Sequence, residues 1–238
     1  MSTPYIIYND VDSRTLGVVM QSMPDFNRPQ RRTEIETAPG RDGSILRDIG
    51  AYDAYTASMS VNCMGVDLAT VYNWLSGSGW LISSDEPERK VWVSLHSEIK
   101  NTHFRASGNY DQLTVSVYCQ PFRYFIDYSE LTITSTGTIT NPGTAYSAPV
   151  IKISGLGDTP LMVNGNLIEI NGLDSAGLLI DCEEMDCFNL AGTELRNSMV
   201  DLTAFPKMYP GANSFQWTNA DSSNKITSIT IDGRWRDL

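Results

Sequence analysis

Apolar and polar residues alternate with a period of two along most of this chain, so strands dominate it. In Ala57-Ser58-Met59-Ser60-Val61-Asn62-Cys63 the apolar residues share one face, and Leu113-Thr114-Val115-Ser116-Val117-Tyr118-Cys119 repeats the pattern before ending at Pro121-Phe122-Arg123-Tyr124. Successive side chains of a strand point to opposite faces, so both runs predict half-buried strands. Shorter strands are predicted at residues 5–8, 16–20, 80–82 and 90–95, the last two joined as a hairpin by the polar tip Asp85-Glu86-Pro87-Glu88. A Thr-rich run over residues 131–140, closed by Asn141-Pro142-Gly143, begins a second series at residues 150–153, 161–163, 167–170, 178–181, 214–217 and 226–231. That spacing of strands and turns predicts an antiparallel sandwich, with Asn164-Gly165 as a type I′ hairpin turn.

The helical period occurs once. Leu68, Val71, Tyr72 and Leu75 make a single stripe, Asp67 stands where an N-cap belongs, and Ser76-Gly77-Ser78-Gly79 ends the pattern. The stripe is expected to pack on a sheet, with Trp80 and Trp92 filling the space between. Pro24 and Pro29 interrupt residues 24–33 and predict an extended arm or edge. Pro39-Gly40-Arg41-Asp42-Gly43 then turns sharply, with Asp42-Gly43 as a hairpin-type dipeptide that displays Arg41 and Asp42. The texture changes near residue 128, which predicts domains at 1–128 and 129–238.

Composition narrows the function classes. The chain has 238 residues, 41% hydrophobic and 19% charged, enough apolar material for two cores and too little charge for disorder. It holds no run of about 18 apolar residues, and Met1-Ser2-Thr3-Pro4-Tyr5 lacks a signal-peptide pattern. Synthesis in a cytosol and no membrane association are expected. A net charge of −11 argues against nucleic-acid binding, which needs basic surface. The basic residues cluster, however: Arg28, Arg31, Arg32, Arg41 and Arg47 fall in one stretch while the second half is mainly acidic. Cys63, Cys119, Cys182 and Cys187 lie in apolar surroundings and are expected to be buried, reduced thiols.

The motifs of catalysis are missing from the pattern. His96 and His103 do not have zinc spacing, Gly155-Leu156-Gly157 runs into a turn and strand, and no nucleophile elbow or phosphate loop is present. No enzyme activity, cofactor or metal is expected. The acidic group Asp181, Glu183, Glu184 and Asp186 has no EF-hand spacing and reads as a solvated strand end, though an acid pair such as Glu183 and Asp186 has the chemistry of a hydrolase. A carbohydrate-binding module acting in host-surface recognition is the alternative function, with Trp217 and Trp235 as sugar-stacking candidates. Trp217 shares a strand face with Phe215, a pattern that also suits a core.

An ordered set of motifs resembles the distal tail proteins (Dit family) of long-tailed bacteriophages across nearly the whole chain. The set is Pro39-Gly40-Arg41-Asp42-Gly43, Cys119-Gln120-Pro121-Phe122, Asn141-Pro142-Gly143, Leu161-Met162-Val163-Asn164-Gly165, Ile180-Asp181, Phe205-Pro206 and Pro210-Gly211-Ala212-Asn213. The resemblance implies a mainly β fold: an N-terminal β-rich belt domain with one α-helix, then a galectin-like antiparallel β-sandwich. It also implies a structural baseplate protein at the virion tail tip, with six belts closing a homohexameric ring. Its partners would be the tail tube protein, the tape measure protein and a tail-tip, receptor-binding or tail-associated protein. Heterologous ring contacts need unlike surfaces, so Arg31, Arg32, Arg41, Asp42 and Arg47 are the ring-interface candidates, with the arginines expected to meet acidic surface on a neighbour.

Overall fold

The computed structural model describes residues 3–105 and 108–238. The chain is mainly β, and it divides into two compact units, residues 1–126 with Leu238 and residues 127–237.

The first unit contains β1 (Ile6–Tyr8), β2 (Val11–Asp12), β3 (Val18–Ser22), β4 (Arg31–Glu36), β5 (Ile45–Tyr52) and β6 (Tyr55–Cys63). Helix α1 (Leu68–Trp74) follows, then β7 (Gly77–Ser83), β8 (Arg89–Leu95), β9 (Lys100–Phe104) and β10 (Tyr110–Phe125). The main sheet runs β2-β1-β7-β8-β10-β6-β3, with β9 also paired to β10. Its core face is the alternation read from the sequence: Met59, Val61, Leu113, Val115, Val117, Val91 and Val93 are all buried. Each such side chain contributes roughly 1.5–3 kcal/mol when taken fully out of water.

Helix α1 closes this core with Val71 and Leu75. Asp67 caps it, its carboxylate accepting from the Ala69 and Thr70 backbone N–H groups and the Thr70 hydroxyl. After Leu75 the chain turns directly into β7, whose first residue, Gly77, has φ 79°. The tryptophan between helix and sheet is Trp74, not Trp80 or Trp92: its indole packs edge-on against Tyr8 and donates to the Tyr8 carbonyl. Trp80 and Trp92 are cross-strand partners whose neighbours Leu81, Val91 and Val93 are the buried ones. Alternation therefore puts both tryptophans on the opposite face, where they meet edge-on and Tyr124 joins Trp80. Pro121 does not end β10; pairing to β8 lapses between Cys119 and Arg123 and then resumes to Phe125. A proline removes one N–H from the ladder, and a bulge absorbs the loss.

The second unit contains β11 (Leu131–Ile133), β12 (Gly137–Asn141), β13 (Val150–Val163), β14 (Asn166–Leu173), β15 (Leu178–Asp181), β16 (Asp186–Phe188), β17 (Val200–Leu202), β18 (Gly211–Trp217) and β19 (Lys225–Asp232). Two layers, β11-β19-β13-β15-β16 and β12-β18-β13-β14-β17, share the long strand β13. Its residues 150–156 ladder with β15 and β19, and its residues 157–163 with β14 and β18. The change of layer falls at Gly155-Leu156-Gly157, where both ladders shift register. A Cβ on Gly155 would stand 2.2 Å from the Lys225 carbonyl oxygen, and Gly157 has φ 74°. The Thr-rich run of residues 131–140 is split in the same way: β11 joins one layer and β12 the other. Asn164 and Gly165 have φ 50° and 82°, as a type I′ turn requires.

Polar clamps hold the irregular parts of this unit. Arg196, buried, donates to both oxygens of Asp174 and to the Gly177 carbonyl. Arg234 grips Asp181 through two hydrogen bonds and reaches Glu183. All four cysteines are free and buried, and burial pushes the Cys182 thiol up to about 12 and Cys187 up to about 11.

Candidate assembly surface

β4 and β5 form a two-stranded ribbon separate from the main sheet of the first unit. Every residue of β4 is exposed, and so are the first six of β5. At about 3.3 Å per residue, β5 alone extends roughly 25 Å. Register is set by the pairs Thr33–Asp48, Glu34–Arg47, Ile35–Leu46 and Glu36–Ile45, with a shift before Arg31–Tyr52. The shift coincides with Gly50, at φ 77°, whose N–H donates to the Asp48 carboxylate. At the root, the Asp53 N–H donates to the Gln30 carbonyl, and Tyr52 packs edge-on against Phe122 of β10.

The predicted turn is the tip of this ribbon, with a different centre. The Arg41 N–H donates to the Ala38 carbonyl and Gly40 has φ 80°, so Pro39 and Gly40 take the two central places of a type II turn. Asp42-Gly43 follows that turn and is not a two-residue hairpin connection. Arg41 and Asp42 are exposed at the tip, and neither has an ion-pair partner among the described residues. Arg47, directly opposite Glu34, is also exposed and outside the described ion pairs.

The ribbon is not a basic surface. Arg31 pairs with Asp48 at 2.7 Å and Arg32 with Asp53 at 2.5 Å. Between residues 28 and 53 stand five arginines, balanced by Glu34, Glu36, Asp42, Asp48 and Asp53. Folding sets Asp48 against Arg31 and Asp53 against Arg32, so a simple basic arm gives way to a ribbon without net charge. Exposed pairs of this kind contribute only about 0–1 kcal/mol each.

The ribbon's distinguishing feature is apolar. Ile35 is 67% exposed, Leu46 65%, Ile49 52% and Ile45 40%. An isolated two-stranded hairpin is marginal in water, so a ribbon this long and this apolar is a surface made to be covered. Sequence reasoning found the turn but not β5, because Arg47-Asp48-Ile49-Gly50 has neither alternation nor unbroken apolar character. The usable signal was the aliphatic residues at 35, 45, 46 and 49, set among charges.

No protein-family model matches the sequence, and no curated protein matches it. Among solved structures, the chain is similar to the Dit protein (gp 19.1) of phage SPP1, described as a paradigm of the hub adsorption apparatus in phages that infect Gram-positive bacteria. The match has a TM-score of 0.76 at 15% sequence identity and covers 100% of both chains. The fold is that of a Dit protein. The mainly β architecture expected from the resemblance is therefore matched over the full chain.

The other sequence candidates are placed as follows. Trp235 is 1% exposed and lies edge-on against Tyr128, so it offers no face to a sugar. The reason is local: Gly233 lets the ring fold back so closely that a Cβ there would sit 2.1 Å from it. Trp217 pairs with the buried Leu161 at the end of β18, is half-buried, and borders a surface recess. Asp181 is claimed by Arg234 and by the N–H groups of Glu183 and Glu184; although burial works against its charge, these bonds hold its carboxyl below the usual range. Among the described residues no group of three or more His, Cys, Asp or Glu is disposed to hold a metal.

Proposed function

We propose that this protein is a distal tail hub of a long-tailed bacteriophage, with the first unit as a belt that closes a ring of six copies. In this reading the ring sits at the end of the tail tube, encircles the tape measure protein and presents the second unit, a galectin-like sandwich, outward to tail-tip or tail-associated proteins. The end-to-end match to the SPP1 Dit fold carries the reading. The uncovered β4–β5 ribbon supports it, since a ring repeats one heterologous contact between unlike surfaces and the ribbon offers one of them. Apolar burial of Ile35 and Leu46 supplies affinity in this contact, and the tip charges Arg41 and Asp42, with Arg31, Arg32 and Arg47 along the ribbon, set register.

Light scattering on the purified protein, alone and with its tail tube protein, tests this directly. A species of six chains, seen as rings in negative stain, is expected. A monomer under both conditions overturns the ring. Antibody labelling of intact virions tests location, and label anywhere but the tail tip overturns the hub.

A further inference from the structure

The β12-β18-β13-β14-β17 layer carries three adjoining recesses that share lining residues. Its main recess, about 330 Å³, has an apolar floor of Pro160, Met162 and Leu167 and a neutral polar border of Thr136, Gln216 and Thr218. Gln216, Met162 and Leu167 stand side by side across β18, β13 and β14. Two further recesses of about 200 Å³ each continue it: one shares Leu167 and reaches Asp201, the other shares Pro160 and reaches Asn171, and Glu169 borders both.

We infer that this group of recesses is a binding site for a neutral saccharide chain. An apolar floor takes the C–H face of a pyranose ring, while amides, hydroxyls and carboxylates exchange hydrogen bonds with its hydroxyls. The Gln216 amide is exposed and makes no side-chain hydrogen bond among the described residues, so it is available to a ligand. Glu169 and Asp201 are exposed, directly opposed cross-strand partners, and neither is in an ion pair among the described residues. Like charges so placed cost stability, and a ligand that donates hydroxyl protons to both carboxylates offsets that cost.

Charge and backbone geometry disfavour polyanions and strand-adding peptides. No lysine or arginine lines any of the three recesses, so phosphate-rich or uronate-rich polymers meet only like charge. A peptide that adds as a strand takes main-chain hydrogen bonds from a sheet edge, whereas the main recess lies over β13, β14 and β18, each paired on both sides. The recess is shallow, so single-site affinity is weak, with Kd on the order of 1 mM. Repetition of the chain in an assembly multiplies it.

Saturation-transfer NMR on the full chain tests the site with cellotetraose, maltotetraose and N-acetylchitotetraose, against polyglycerol phosphate and tetra-alanine. Transfer to at least one neutral tetrasaccharide is expected, weakened about tenfold in Gln216→Ala and in Glu169→Ala, each a loss of about 1.4 kcal/mol. Both positions are exposed, and unchanged thermal melting separates loss of binding from loss of fold. No transfer to any of the three saccharides overturns the inference. So does transfer that survives the double variant, or a stronger response to polyglycerol phosphate or tetra-alanine. The outcome is independent of the ring: a hexamer without a saccharide response removes this site and leaves the hub, and a monomer with one does the reverse.

Discussion

Ile35 and Leu46 face each other across the β4–β5 ribbon, each about two-thirds exposed, with no third strand paired to either side of the ribbon among the described residues. Two large aliphatic side chains held in register and left in water are a structural cost inside a monomer. Covering both would contribute roughly 1.5–3 kcal/mol per side chain.

Ile35→Glu with Leu46→Glu is therefore expected to separate folding from assembly. The ribbon adds nothing to the buried core of the first unit, so monomer stability should change by no more than about 0.5 kcal/mol. Oligomer size in analytical ultracentrifugation should fall to the monomer. A double variant that still assembles would show that the ribbon is not the contact.

The tip and shaft charges should behave differently. Arg41 has no ion-pair partner among the described residues, so Arg41→Glu should weaken assembly, more at low salt, where screening is least. Arg31 is already paired with Asp48 on an exposed surface. Arg31→Gln should cost at most about 1 kcal/mol in a denaturant melt and leave assembly nearly unchanged. Measurement at two ionic strengths distinguishes the two.

The crossing of β13 between layers should tolerate no side chain at its bend. Gly155→Ala brings a Cβ to 2.2 Å from the Lys225 carbonyl oxygen and 2.8 Å from Leu173. Either the ladder between β13 and β19 parts or the bend shifts, and a loss of about 2–4 kcal/mol is expected in chemical denaturation. Gly43→Ala is the control: it has room for a Cβ but φ 83°, so only backbone strain of about 1 kcal/mol remains.

Acid should loosen the second unit through its arginine clamps. The Arg196 hydrogen bonds hold the Asp174 carboxyl below its ordinary value, and Asp181 is held down by Arg234 and two backbone N–H groups against the opposing effect of burial. A carboxylate with a depressed folded-state pKa stabilises fully above its unfolded value of about 3.9 and loses that stabilisation as pH falls through the folded value. Thermal melts should therefore be flat from neutral pH to about pH 5 and decline below about pH 4. Arg234→Met should lower the melting temperature at neutral pH and flatten that decline, because Asp181 then returns toward an ordinary pKa and its pH-dependent contribution is lost; an acid limb of unchanged steepness would remove the clamp from the explanation.

Much of the fold was legible because period and chemistry are local. The faces of β6 and β10 follow from one-residue alternation, α1 from its stripe and the Asp67 cap, and the β13–β14 turn from Asn164-Gly165. Wrong assignments arose where a neighbour in space overrode the local pattern. Trp80 and Trp92 carry the size and hydrophobicity of core residues, but their register with Leu81 and Val91 sends them to the outer face. Trp235 carries the same signal as an exposed platform, and the close approach allowed by Gly233 buries it.

The candidate surface divides along the same line. Sequence by itself determined that residues 39–43 turn, that aliphatic and charged residues mix on either side of that turn, and that arginines precede it, because these are properties of residues next to one another in the chain. Only the tertiary structure decided that the arginines are balanced across the ribbon by Asp48 and Asp53, that Ile35 and Leu46 share an uncovered face, and that Gln216, Met162 and Leu167 line one recess. Each of those facts depends on strand register, and register is fixed by which residues the whole sheet buries.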